Sequence, residues 1–190
     1  MVLVCNLYIE RENLPAQGAR DAAFKARRRL VAMAKRISHG RSQCGVARPL
    51  DAIGDWWSLL IVRDAFGGLR RFSEFQKSLG VAKNILSARL RSLVAHGIME
   101  MLPASDGSPY QEYVLTEKGR GMFPLLVALR QWGEDFFFEP DEAHVLLADK
   151  KTGLPVRRLE LRSQDGRILG AEDTFVRLPP ASPEQKRRSR

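Results

Sequence analysis

The sequence predicts a mainly α-helical fold with a small amount of β structure. Three observations support this prediction. Apolar residues recur with helical spacing between residues 46 and 95. Two short segments of strand character, 98–102 and 111–116, flank the loop PASDGSPY, which is rich in turn-forming residues. A further apolar periodic segment begins after Thr116 and predicts one long helix ending near Phe138.

The first helices form the predicted core. Val46, Leu50 and Ile53 have the i, i+4, i+7 spacing of one helix face. Asp55 follows them and is suited to capping the next helix. That helix, WWSLLIVRDAF (56–66), is apolar on nearly all sides, so we expect it at the centre of the domain.

The segment 70–97 predicts two short helices joined by a tight turn. In 72–79 the apolar residues lie on one face, and Gly80 then supplies the permissive backbone of a sharp turn. The helix that follows, from Ala82 to His96, has an apolar stripe on one side. Its opposite face holds donors and small residues without any acid: Lys83, Asn84, Ser87, Ala88 and Arg91.

Positive charge is concentrated in this pair of helices. Between Arg70 and Arg91 six Lys or Arg residues face a single acid, Glu74, which gives a local charge of about +5 that attracts phosphate. Two helices followed at once by a β-hairpin is the element order of a winged helix-turn-helix, whose second helix enters the DNA major groove. The alternative is that such helices belong to an α domain that binds no nucleic acid.

The composition, 44% hydrophobic and 28% charged, is that of an ordinary globular protein. The sequence has no apolar run near the ~20 residues of a membrane helix. Its opening, MVLVCNLYIE, is a poor signal peptide, so we expect a cytoplasmic protein. The net charge of +9 is distributed as +6 in residues 1–43, +1 in 44–138 and +2 in 139–190. Most of the excess therefore lies outside the helical core.

The segments on either side differ from the core. Residues 1–43 are expected to be a basic, disordered extension, and Met33 is a natural alternative start, which leaves open whether residues 1–32 are translated. Residues 44–138 form the predicted DNA-binding and dimerisation domain. Residues 139–178 contain three short strand-like segments and predict a small β appendage, whose role stays open, and 179–190 predict a disordered basic tail.

Residues of the kind that perform catalysis or bind metals are scattered. Cys5 and Cys44 do not form a disulfide framework or a zinc motif, and the three histidines have no metal-binding spacing. The sequence therefore predicts no enzyme activity, no metal and no cofactor. The last predicted helix has more apolar surface than one domain can cover, which favours a second subunit; the alternative is packing against the protein's own C-terminal segment.

The segment from Cys44 to about Phe138 resembles the HxlR family of bacterial winged helix-turn-helix regulators, within the MarR-like superfamily. Four blocks support the resemblance, in order: Cys44 with ARPLDAIGDWWSLLIVRDAFGG, then RRFSEFQKSLGVAKNILSARLRSLVAHGI, then EYVLTEKG, then ALRQWG. It implies a homodimer built on the first and last helices, acting as a transcription factor on a pseudo-palindromic operator.

On matching positions, the resemblance implies that one group of residues faces the groove and another contacts phosphate. The groove-facing candidates are Lys83, Asn84, Ser87 and Arg91, and the phosphate candidates are Arg70 and Arg71. The wing departs from the family pattern, because Gly97-Ile98-Met99-Glu100-Met101 lacks the usual Arg and the tip SDGSPY has no basic residue. This weak wing supports an alternative function, a ligand- or redox-sensing dimeric interaction module that does not itself read DNA.

Cys44 matches a family cysteine that resembles a redox or electrophile sensor in some members. Arg41 and Arg48 lie near it in sequence and are expected to lower its pKa. Sensing is a hypothesis, and the sequence favours a buried and inert thiol at a helix start, because cysteine is among the most buried residue types.

Overall fold

The computed structural model describes residues 38–177. In chain order the elements are α1 (Ala47–Ile53), α2 (Trp56–Phe66), α3 (Phe72–Leu79), α4 (Lys83–Ala95), β1 (Met99–Pro103), β2 (Gln111–Leu115), α5 (Glu117–Arg120) and α6 (Phe123–Phe136). The strands pair antiparallel as a hairpin, with Met99 opposite Leu115 and Pro103 opposite Gln111. The predicted winged helix-turn-helix fold is confirmed. Residues 1–37 of the predicted N-terminal extension, the last residue of the predicted appendage (178) and the predicted tail (179–190) lie outside the described residues.

Helix α2 is the centre of the core, as its composition predicts. Ile61 and Val62 have no exposed surface, and the helix contacts α3, α4, β2 and α6. Asp55 caps its N-terminus by accepting hydrogen bonds from the Ser58 amide at 3.1 Å and the Ser58 hydroxyl at 2.7 Å. Trp56 differs from the expectation, because its place at the first turn leaves it 74% exposed.

The two helices of the helix-turn-helix pack through apolar faces that the sequence predicts. Phe75 of α3 and three leucines of α4, at 86, 90 and 93, are fully buried. Gly80 ends α3 in the left-handed conformation, with φ of 61°, and its amide donates to the Gln76 carbonyl. Val81 is buried beneath the turn. The turn therefore fixes α4 relative to α3 within three residues.

The last helix differs from the prediction, because it is divided in two. Thr116 caps α5 as expected, accepting from the Gly119 amide at 3.1 Å. The helix then ends at Arg120, and α6 begins at Phe123 with Pro124 in its first turn. Proline has no amide hydrogen and its ring collides with the carbonyl four residues earlier, here that of Arg120. A continuous helix from Glu117 is therefore not possible without a kink.

Residues 139–177 have less β structure than the sequence predicts. The three expected strands are reduced to two isolated bridges, Ala148 with Pro155 and Arg162 with Ile168. Most side chains of this segment are exposed, so the hairpins lack the apolar partner that stabilises a short sheet. Gln131 of α6 holds the segment in place, donating to the Arg157 carbonyl at 3.0 Å and accepting from the Leu159 amide at 2.9 Å.

Residues 38–51, the start of the described chain, have their own local contacts. The Ser38 hydroxyl donates to the Asp51 carboxylate at 2.7 Å, and the Arg48 guanidinium donates to the Ser42 carbonyl. No helix within residues 38–177 combines the length and apolar content that crossing a membrane requires.

Candidate nucleic-acid interface

The outward face of α4 is formed by residues with i, i+3, i+4, i+7 spacing. Asn84, Ala88 and Arg91 are exposed and Ser87 is half-buried, whereas the leucine stripe on the other side is fully buried. Lys83 is exposed at the first position of the helix. The structure therefore brings together on one helix the four residues that the sequence predicts to face the groove.

The polar side chains on this face are free to meet a ligand. Within the described part of the chain, Lys83, Asn84 and Arg91 have no recorded side-chain hydrogen bond or ion pair. Helix α4 contains no acidic residue. The methyl side chain of its N-cap residue, Ala82, cannot accept hydrogen bonds from the first amides of the helix. These amides and the helix dipole add positive potential at the end that carries Lys83. The small side chain of Ala88 leaves room for close approach.

An ion pair joins the middle of α4 to the start of α2. Arg89 lies on the side of α4 toward α2, and its Nε is 3.2 Å from Oδ1 of Asp55. The Asp55 carboxylate also caps α2, so this one acid joins α4 to α2. Arg89 contributes to the predicted local charge, yet its guanidinium is paired with the acid at the start of α2.

The C-terminal end of α4 is held by the segment that begins α5. The Thr116 hydroxyl donates to the Gly97 carbonyl at 2.6 Å, and the Lys118 ammonium donates to the His96 carbonyl at 2.6 Å. Gly119 lies so close to this end that a Cβ built on it would be 2.1 Å from the Ile98 carbonyl oxygen. Residues 116–119 (TEKG) therefore hold the C-terminal end of α4, and Gly119 has no room for a Cβ; we call these residues the α5 clamp.

Arg71 differs from the prediction, because it points to the wing instead of outward. Its guanidinium pairs with Asp106 at the tip of the wing, and its Nε is 3.9 Å from Oε1 of Glu112. Arg70 remains 55% exposed, with Nη1 3.7 Å from Oε2 of the same Glu112. Glu112 is a buried carboxylate that also accepts from the Ser105 hydroxyl at 3.1 Å. We call Arg70, Arg71, Asp106 and Glu112 the wing cluster.

The wing cluster reduces the charge that the sequence assigns to this surface. Its two acids come from the wing and offset two of the six basic residues counted between 70 and 91, and Asp55 offsets a third, Arg89. The expected excess is therefore concentrated on the residues without such pairs, Lys77, Lys83 and Arg91. The sequence offered no local signal for these pairs, because the acids are 35 or more residues from the arginines of the wing cluster.

Ionisation in and beside the wing cluster follows from these contacts. The Ser108 side chain, and then the Arg71 guanidinium, hold the pKa of Asp106 well below its usual range. The hydrogen bond to Asp106 in turn raises the pKa of Arg71. The backbone amide of Arg71, and then that of Arg70, lower the pKa of Glu74. At neutral pH the wing tip therefore carries a negative charge that is neutralised by Arg71.

Cys44 is exposed, so the expectation of a buried thiol is wrong. The pKa of its thiol is lowered by hydrogen bonds from the Ala47 amide and then the Val46 amide. The Arg48 guanidinium donates instead to the Ser42 carbonyl. The pKa of the Cys44 thiol is therefore lowered by backbone amides and not by the arginines that the sequence suggested. Residues 38–177 contain no group of three or more His, Cys, Asp or Glu arranged to hold a metal ion.

An apolar stripe runs along the exposed side of α6. It consists of Leu125, Leu129, Trp132 and Phe136, which are between 42% and 72% exposed. The segment after residue 139 contacts the opposite side of the helix, where Gln131 is buried, and leaves the stripe uncovered. Among the described residues, up to 177, the C-terminal segment therefore does not cover the stripe, which was one of the two expected arrangements. We call these four residues the α6 stripe.

Comparison with known proteins gives consistent results. Residues 52–141 match the family model described as HxlR-like helix-turn-helix. The helix-turn-helix transcriptional regulator Rv3095 of Mycobacterium tuberculosis, itself uncharacterised, is 38% identical over 117 residues, which cover 62% of this chain and 74% of that protein. YybR of Bacillus subtilis, of the same description, is 33% identical over 101 residues, which cover 53% of this chain and 81% of that protein.

Two crystal structures of candidate transcription factors are also similar. PA1607 is 65% identical with a TM-score of 0.71, covering 73% of this chain and 97% of that one. PA1374 from Pseudomonas aeruginosa is 40% identical with a TM-score of 0.54, covering 76% of this chain and 99% of that one. The family match and the 38% identity to a relative of which the chain covers 74% lead to one conclusion: the chain belongs to the HxlR-like helix-turn-helix family.

Proposed function

We propose that the protein is a DNA-binding transcriptional regulator that acts as a homodimer on a pseudo-palindromic operator. The observation that supports this most strongly is the outward face of α4. It is acid-free, has small residues at its centre, and presents Asn84 and Arg91 without a side-chain partner among residues 38–177. Asparagine and arginine are suited to bidentate hydrogen bonds with adenine and guanine in the major groove.

Within this proposal the residues of α4 have different roles. Asn84, Ser87 and Arg91 face base edges, and Lys83 at the helix N-terminus contacts phosphate. Arg70, which is 55% exposed beside the wing, is a second phosphate contact. No catalytic role is proposed for any residue.

The α6 stripe supports a dimer. Four large apolar side chains on one face of a helix form the kind of exposed patch that marks a protein interface. Because the stripe has an i, i+4, i+7, i+11 repeat, it matches itself in an antiparallel helix pair related by a two-fold axis. Two recognition helices related by this axis would meet half-sites about one DNA turn apart.

A titration of purified protein, at two salt concentrations, with the DNA immediately upstream of its own gene tests the proposal. We expect saturable binding that weakens with salt, and a loss of affinity in Arg91→Ala. Arg162→Ala is the matched control, since this arginine lies after residue 139 and is bonded to Glu160 rather than to anything on α4. Affinity for upstream DNA equal to that for random DNA at both salt concentrations would count against a specific regulator of this gene.

A further inference from the structure

The wing cluster has a consequence for DNA binding that rests on the proposed function. We propose that the ion pairs with Asp106 and Glu112 keep the Arg71 side chain on the wing, where Arg71 acts as a positioning residue. In this arrangement the negative charge of Asp106 lowers the affinity of the protein for non-specific DNA. The wing cluster therefore weakens the binding of DNA phosphates next to α4.

The geometry supports the positioning role of Arg71. Its side chain is one-third exposed, and it bridges an exposed acid on the wing tip and a buried acid in β2. A buried carboxylate needs charged or hydrogen-bonding partners, and Glu112 has only Ser105 and the two arginines among the described residues. Moving Arg71 outward to a phosphate would remove partners from both acids, so the arrangement opposes that contact.

The backbone shows that the wing is fixed at the same place. The Tyr113 amide of β2 donates to the Arg70 carbonyl at 2.8 Å, which ties the hairpin to the start of α3. Asp106 accepts from the Ser108 amide at 3.1 Å, which shapes the tip. The acid at the tip is therefore held next to the arginines rather than being free to swing away.

The charge count gives the expected effect. The wing cluster contains two positive and two negative groups, so as a unit it offers no net charge to the DNA backbone. Replacing Asp106 by asparagine keeps an oxygen to accept from the Ser108 amide and leaves the cluster at +1. One further neutralised phosphate steepens the plot of log K against log salt by about 0.9.

Binding of the full chain to a random-sequence duplex, measured at several salt concentrations, tests the proposal. We expect Asp106→Asn to bind more tightly than the wild type at low salt, and this advantage to shrink about 3.5-fold over a fourfold increase in salt. The control is Asp165→Asn, which also removes one negative charge and so raises the net charge by one. Asp165 is likewise an exposed turn acid paired with an arginine, Arg167, at 3.0 Å, and it lies outside the winged helix.

Arg71→Gln tests the positioning role separately, with Lys83→Ala as the reference for a lost phosphate contact. The proposal predicts that Lys83→Ala flattens the salt dependence by about 0.9 and that Arg71→Gln leaves it unchanged. If Arg71→Gln unfolds the wing, the Asp106→Asn comparison still decides the matter.

The outcomes are distinguishable. A slope for Asp106→Asn equal to that of the wild type, or equal to that of Asp165→Asn, overturns the inference while leaving the proposed function in place. If Arg71→Gln flattens the plot of log K against log salt as much as Lys83→Ala does, Arg71 is a phosphate contact, and this result also overturns the inference. A wild-type protein whose binding to every DNA lacks salt dependence would instead overturn the proposed function itself, and the inference with it.

Discussion

Replacing Gly119 by alanine tests whether the α5 clamp positions the end of the recognition helix. The added Cβ would lie 2.1 Å from the Ile98 carbonyl oxygen and 3.1 Å from Leu115 Cδ2. The nearest obstacle is backbone, so a rotamer change cannot relieve the contact. That carbonyl also accepts from the Thr116 amide at 3.1 Å, and a displacement would strain this bond as well.

The expected loss of stability follows from these contacts. Overpacking of this kind costs about 1–3 kcal/mol, and weakening one hydrogen bond adds about 1 kcal/mol. We therefore expect the free energy of unfolding to fall by about 3 kcal/mol. With an m-value of about 2 kcal/mol/M, the midpoint of urea unfolding falls by about 1.5 M.

Gly133→Ala is the matched control for this measurement. Gly133 lies within α6, and no atom is within 4 Å of the Cβ that would be added. Alanine is favoured over glycine in a helix by about 1 kcal/mol, so this variant should raise the midpoint by about 0.5 M. Both variants are compared with the wild type at one protein concentration, because the proposed dimer would make stability concentration-dependent. A midpoint for Gly119→Ala within 0.3 M of the wild type would refute the clamp.

Three further predictions concern the dimer, pH and the thiol. Trp132→Glu should weaken the dimer in sedimentation velocity, whereas Leu102→Asp, at an exposed apolar position on the wing, should not; equal effects would exclude the α6 stripe as the interface. Because the folded state lowers the pKa of Glu74, its contribution to stability is present above the unfolded pKa and is lost as the pH falls through the folded value. Glu74→Gln should therefore flatten the acid side of the stability curve, and an unchanged acid limb in urea titrations would contradict this. Cys44 should be alkylated faster in the folded protein than in urea, since it is exposed and the folded state lowers its pKa, and equal or slower alkylation would contradict this; a sensor role further requires that alkylation change DNA affinity.

Much of the winged helix could be predicted because its signals are local. The spacing of apolar residues gave α2 and α3 their observed bounds, and Gly80 supplied the turn that its positive φ requires. The loop PASDGSPY likewise predicted the hairpin, with strand ends within one residue of those observed. In each case residues close in sequence determine the element, so no knowledge of distant contacts is needed.

Two differences arose from signals that were present in the sequence but outweighed. Pro124 marks the break between α5 and α6, yet the continuous apolar pattern around it favoured one helix. The strand-like segments after residue 139 have suitable residues but no apolar surface to pack on, and β propensity depends on such packing.

The candidate site was predictable only where its residues act alone. The exposed face of α4 follows from helical geometry, so Asn84 and Arg91 were placed correctly on the outward side. The positions of Arg71 and Arg89 depend on Asp106 and Asp55, which the fold brings from distant parts of the chain. Counting charges along the sequence therefore overestimated the positive charge available to DNA.

Base reading by the outward face of α4 is tested most directly by the specificity ratio, the affinity for the preferred site divided by the affinity for random DNA. Selection from a random-sequence duplex library defines the preferred site, and affinities for that site and for random DNA are then measured for the wild type, Asn84→Ala and Lys83→Ala. A lost base contact should reduce only the affinity for the preferred site, which lowers the ratio by a factor equivalent to about 1–3 kcal/mol. A lost phosphate contact should weaken binding to the preferred site and to random DNA equally. We predict the first result for Asn84→Ala and the second for Lys83→Ala. An unchanged ratio in Asn84→Ala would contradict base reading by this residue, and a library with no preferred site would contradict the claim as a whole.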